Sequence, residues 1–140
     1  MRANLLMIIA TILWGVWGVA NDRAVTIAHP FDVQWMYAVP YVLAIPVWFM
    51  LARRAAPGFE FNPTAFAWAV TAALCAMGAL VAVLIALIDT PASIAMALTS
   101  VYPIITLVVG VIAGTESFSL PKIGGILFII GGVFLLQMGR

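Results

Sequence analysis

Charge is scarce in this 140-residue chain: charged residues make up 8% of it, against about 25% in an ordinary soluble domain. Six basic residues, five acidic ones and a single histidine cannot coat a folded domain in water. Lipid is therefore the expected solvent for most of the surface. The net charge of +1, with no basic cluster, argues against a nucleic-acid partner. Cysteine is scarcer still. Cys75 stands alone in an apolar run, so no disulfide can close within the chain, and no Cys/His cluster has metal-ligand spacing. Cys75 reads as a small packing residue. There is no nucleophile–base pair and no phosphate loop, so neither an enzyme nor a cofactor or metal is expected.

What the chain has instead is apolar length. Hydrophobic residues make up 66% of it and the mean hydropathy is +1.20. A bilayer core about 30 Å thick needs roughly 20 apolar residues in a helix. Five runs qualify, at about 5–20 or longer, 33–52, 64–88, 92–113 and 123–138. They are continuous rather than alternating and too long for barrel strands. The expected fold is all-α and integral to the membrane, one transmembrane domain over 1–140. The linkers are short and polar, and Pro63, Pro91 and Pro121 each stand where a helix should open. A cleaved leader in the first run is disfavoured by its two tryptophans and by the lack of a soluble domain behind it.

Basic residues set orientation. Arg2, Arg53, Arg54 and Lys122 fall on the side of the amino terminus, Arg23 and Arg140 on the other. This predicts a cytoplasmic amino terminus in a cell (inner) membrane. The bias is small enough to leave the opposite insertion open.

Polar and breaking residues inside the runs are the candidates for function. In WGVWGVANDR, helical spacing puts Trp14, Gly18 and Asn21 on one stripe, with Trp17 beside it. If the helix runs on to about residue 28, the tryptophans can wall a substrate and Asn21 can hydrogen-bond it. The alternative is an interfacial tryptophan belt with Asp22 and Arg23 as a solvated cap. In the fourth run Thr99, Pro103, Thr106 and Gly110 share a stripe, with Ser100 and Tyr102 nearby. Pro103 has no N–H, so the Thr99 carbonyl loses its usual helical partner. Substrate, water or a neighbouring helix can satisfy it, or the proline is a plain packing kink. Pro40 and Pro46 free the Met36 and Val42 carbonyls of the second run in the same way. In the fifth run Gly124, Gly125, Gly131 and Gly132 fall on one face, a smooth surface for another helix of this chain or of a second copy. Glu60, Asp89 and Glu116 sit at run ends as caps, and His29 reads as an exposed polar residue.

WGVWG in the first run resembles the opening of EamA-type members of the drug/metabolite transporter superfamily. The stretch ALTSVYPIITLVVGVIAGTESFSLPKIGGILFIIGGVFLL resembles the end of that domain, with its Tyr-Pro helix, a glutamate after it and a glycine-rich last helix. The resemblance implies alternating-access transport of a small polar or amphipathic metabolite. It also implies that the chain is one five-helix half of an inverted-repeat fold, since typical members carry two such repeats of opposite topology. A lone repeat then implies a homodimer, parallel or antiparallel. Glu116 matches the family's glutamate, in a structural or gating position. Trp14, Trp17, Asn21, Thr99, Ser100, Tyr102 and Pro103 are the expected substrate contacts, and Gly124, Gly125, Gly131 and Gly132 the expected packing or dimer face. Two other readings stay open: a non-transporting accessory subunit of another membrane protein, and an exporter like the small multidrug resistance proteins. The latter carry a buried glutamate in their first span, where this chain has no carboxylate before Asp22.

Overall fold

The computed structural model describes residues 2–56, 58 and 60–139. Arg140, counted above with the basic residues of the far side, lies outside them. Every regular element among the described residues is a helix: α1 (Arg2–Val25), α2 (Pro30–Met36), α3 (Ala38–Ala55), α4 (Pro63–Ala86), α5 (Ala92–Thr99), α6 (Pro103–Ile112) and α7 (Leu120–Met138). Five segments are long and apolar enough to cross a membrane: Ala3–Val25, Pro30–Ala55, Pro63–Ala86, Ala92–Ile112 and Leu120–Met138. The all-helical, five-span membrane fold is thus as the composition required. The first span runs past Ala20 to Val25, carrying Asn21, Asp22 and Arg23 inside the helix.

Helix starts follow local chemistry. The Asn62 side chain accepts the Ala65 N–H at 3.0 Å ahead of Pro63. His29 Nδ1 accepts the Phe31 N–H at 3.3 Å ahead of Pro30. The Ser119 hydroxyl accepts the Lys122 N–H at 3.4 Å at the head of α7. Each satisfies an N–H that the first turn leaves without a partner, while proline there removes another. His29 is exposed, as expected, but it also caps α2.

Two spans break and one proline does not break its helix. The second span interrupts at Tyr37, three residues before Pro40, and the fourth over 100–102, just before Pro103. A proline ring clashes with the carbonyl four residues back and supplies no N–H. Pro46 lies within α3 without interrupting it.

The chain forms two compact units, 1–20 with 89–140 and 21–88. In the first, α5 packs on α7, and Gly18 of α1 meets α5. A Cβ on Gly18 would stand 2.8 Å from Met96 Cγ, so this glycine serves close helix approach rather than a cavity. Ala95 and Leu107 are buried. Gly124, Gly125, Gly131 and Gly132 have no atom within 4 Å of where a Cβ would sit. Packing within the chain therefore does not use their smoothness.

In the second unit α2 packs on α4 and α3. Pro30 and Val33 of α2 are buried, as are Leu84 at the end of α4 and Leu87 just beyond it. Asn21, from the last turns of α1, is 1% exposed, and the Tyr37 hydroxyl donates to its Oδ1 at 2.7 Å. A buried acceptor deprived of its donor costs about 1–3 kcal/mol. Tyr37→Phe should therefore lower unfolding stability by about that amount, read from reversible denaturation in mixed micelles. Phe31→Leu, at an exposed ring, should change it far less.

Candidate functional site

The break before Pro103 builds the candidate site. Residues 100–102 close as tight turns. The Tyr102 N–H donates to the Thr99 carbonyl at 3.1 Å, and the Ser100 N–H reaches both the Met96 and Ala97 carbonyls at 3.1 Å. The Thr99 carbonyl, freed from Pro103, is thus satisfied three residues on rather than by a neighbouring helix. The nearby hydroxyls also turn back. Thr99 Oγ1 donates to the Met96 carbonyl at 2.8 Å and Ser100 Oγ to the Ala97 carbonyl at 2.6 Å. Such back-bonding bends helices, and it leaves both donors occupied.

The other end of α6 is closed by glycine. Gly114 has φ +71°, a left-handed conformation that side chains with a Cβ rarely adopt. The Thr115 N–H then reaches the Gly110 carbonyl at 2.9 Å and the Gly114 N–H reaches Val111 at 3.1 Å, a Schellman ending. The Gly110 carbonyl also accepts the Glu116 N–H at 3.1 Å and the Thr115 hydroxyl at 3.2 Å. Gly110 is buried. A Cβ on it would stand 2.7 Å from Glu116 Cγ, so its bare surface seats the Glu116 stem. From there the Glu116 carboxylate pairs with Lys122 Nζ at the head of α7, and Nζ also donates to the Ser117 carbonyl at 3.2 Å. The Lys122 and Glu116 side chains are 45% and 37% exposed, respectively. An exposed pair adds at most about 1 kcal/mol of stability, so its consequence is placement: it ties the 113–119 loop to α7.

Between α6 and α7 lies an open groove of about 470 Å³, within the range of about 300–1,000 Å³ usual for small-molecule sites. Tyr102, Pro103 and Thr106 line it from the α6 side, and Gly125, Ile126 and Ile129 from α7, with Glu116 and Lys122 also in its wall. Most of the wall is apolar, and its charges are confined to that pair.

Two of the seven expected substrate contacts, Tyr102 and Pro103, meet in this groove. Trp14, Trp17, Thr99 and Ser100 are not in its lining. Trp14 is 61% exposed and Trp17 half-buried. Asn21 belongs to the second unit, where Tyr37 engages it. Glu60 and Asp89 are exposed, but the residues that cap the neighbouring helices are Asn62, Leu87 and Pro91. Glu116 is also exposed, but bonded rather than simply solvated. Sequence reasoning passed over Lys122 as an ion-pair partner and Tyr37 as a donor. The signal for the first was opposite charge six residues apart across a short loop. For the second it was the spacing of Pro30, Val33 and Tyr37, which puts the tyrosine on the buried face of α2. Among the described residues, no cluster of His, Cys, Asp or Glu could hold a metal ion.

The seat of Glu116 on Gly110 is testable by a double-mutant cycle. Gly110→Ala should cost about 1–3 kcal/mol, the usual range for overpacking. In a Glu116→Ala background the same change should cost much less, because the side chain it displaces is gone. Equal costs in the two backgrounds, by thermal or denaturant unfolding, would contradict the contact.

The family model for the EamA-like transporter family matches residues 1–138. No curated protein and no solved structure shows a significant match.

Proposed function

The chain belongs to the EamA-like transporter family, and on that premise we propose that it moves a small polar or amphipathic metabolite across the membrane by alternating access. The observation that carries this reading is the α6/α7 groove, apolar along most of its wall and charged only at Glu116 and Lys122. An amphipathic solute has the matching distribution. Tyr102 offers a ring and a hydroxyl to it, and Pro103 sets the bend at which the groove opens or narrows. Trp14, Trp17, Asn21, Thr99 and Ser100 remain proposed contacts for other stages of the cycle. The Glu116–Lys122 pair acts as a latch, since the loop that carries Glu116 leaves α7 when the pair opens.

The proposed working unit is a homodimer in the inner membrane, with the amino terminus cytoplasmic. Support comes from what the chain leaves uncovered. No residue of α7 is buried, and its four glycines face open space. A helix with bare glycines allows close approach of another helix. A helix is about 10–12 Å across, so five in a ring enclose little room once side chains fill it. A second copy would complete the path. Antiparallel pairing would reproduce the inverted repeats usual in the family, and the weak basic-residue bias permits both insertions.

Uptake into liposomes containing only the purified chain, with a metabolite panel and with or without a proton gradient, tests the reading. Wild type should accumulate at least one solute. Tyr102→Phe and Pro103→Ala should slow uptake several-fold at unchanged expression. For Pro103→Ala thermal stability should hold or rise, because a backbone N–H returns to the helix. Absence of uptake for every solute, restored by a second membrane protein, would make the chain an accessory subunit instead. Gly132→Leu lies off the groove lining, so it separates assembly from binding. It should abolish the dimer and uptake together, as judged by mass photometry in nanodiscs. Full uptake by a proven monomer would refute the dimer.

A further inference from the structure

The glycines of the first unit differ in what holds them there. At Gly18 and Gly110 a Cβ would stand 2.8 Å from Met96 Cγ and 2.7 Å from Glu116 Cγ, so close packing requires a bare backbone. In α7 nothing stands within 4 Å of a Cβ on Gly124, Gly125, Gly131 or Gly132. Conformation does not require glycine at these four either, because among the described residues Gly114 alone has a positive φ. Glycine inside a helix is destabilising relative to alanine, so the room it leaves calls for a use. Contact with a second copy is one such use. Gly125 differs from the other three because it lines the α6/α7 groove.

Lys122, Gly125, Ile126 and Ile129 recur at helical spacing on one face of α7, and all four line the groove. Gly125 stands about 4.5 Å along the helix axis from Lys122. It therefore lies between the Glu116–Lys122 pair and the apolar end at Ile129. Ile126 and Ile129 bring branched side chains to this wall, and Gly125 brings none, so the wall is recessed just behind the charges. We propose that Gly125 is the size-determining residue of the groove. The recess admits a branched or cyclic apolar body directly behind a polar head held at the Glu116–Lys122 end. A straight chain passes with or without the recess, whereas bulk close to the head needs it. This role rests on the groove being the solute path.

The test measures groove width with probes of known size. The full chain carrying Cys75→Ala and Thr106→Cys, in nanodiscs, is labelled with aminoethyl methanethiosulfonate and with trimethylammonioethyl methanethiosulfonate. Both reagents are cationic and their heads differ by three methyl groups. The readout is the ratio of the two rates, small reagent over large. Changes in thiol reactivity or in the field of Glu116 and Lys122 act on both rates and cancel in the ratio. Gly125→Leu should raise the ratio at least about tenfold, the discrimination that a methylene or more of lost space supplies. Gly125→Ala should raise it less, and it carries the test if Gly125→Leu does not fold. Gly124→Leu, off the groove lining and with the same open space around its Cβ, should leave the ratio unchanged. The size role is overturned if the Gly125 variants keep the parent ratio, or if Gly124→Leu raises it equally. Failure of both reagents to label the parent protein would instead overturn the groove as an aqueous path, and the size role with it.

Discussion

Every backbone N–H and C=O in a membrane span must find a partner inside the protein, because lipid offers none. The shape of the fourth span follows from meeting that rule around a proline. Pro103 cannot donate to the Thr99 carbonyl. The chain answers by tightening residues 100–102, so that Tyr102 makes the bond and Ser100 divides its own N–H between two carbonyls. The cost of the proline is a break, and the break separates α5 from α6. The same rule acts at the far end of α6, where the Gly110 carbonyl takes three donors and Gly114 supplies the one backbone conformation that lets it. With both ends of α6 closed in this way, the groove beside it keeps a mostly apolar wall. Its charges are those of a pair outside the helix.

The second constraint is area. The buried hydrophobic set is small, comprising Val33, Leu84, Leu87, Ala95 and Leu107, and α3 and α7 bury no residue. In water such a chain would collapse or aggregate. In a bilayer the exposed aliphatic and aromatic side chains are solvated by acyl chains, and association between helices depends on shape and hydrogen bonds rather than on hydrophobic burial. A glycine face on α7 and an occupied polar pair such as Tyr37–Asn21 are the two kinds of contact that retain value under these conditions.

The fold was legible in the sequence because lipid thickness fixes helix length, and five runs of that length leave no room for another arrangement. The proline-opened starts at Pro63 and Pro30 follow from capping chemistry, although Pro30 and His29 extended the second span earlier than hydropathy alone placed it. The site was less legible. Tyr102 and Pro103 stood out because proline leaves a chemical mark in a helix. Thr99 and Ser100 stood out as polar, but a hydroxyl in a helix can satisfy itself on the preceding turn, and both do. Lys122 was hidden because a pair formed across a loop leaves no periodic trace. Tyr37 was hidden because one apolar run conceals which of its faces is buried.

The central claim is that the α6/α7 groove carries solute and therefore water, whereas the surface beside it faces lipid. Cysteine accessibility tests it directly, since the chain's natural cysteine, Cys75, can be replaced by alanine. In that background, a cysteine at Thr106, in the groove wall, is compared with one at Val109, which is exposed but outside the lining. A membrane-impermeant thiol reagent should label Thr106→Cys in nanodiscs and leave Val109→Cys unmodified, and transported solute should slow the labelling. Equal inertness of the two cysteines to that reagent, with both labelled by a lipid-soluble one, would contradict the account.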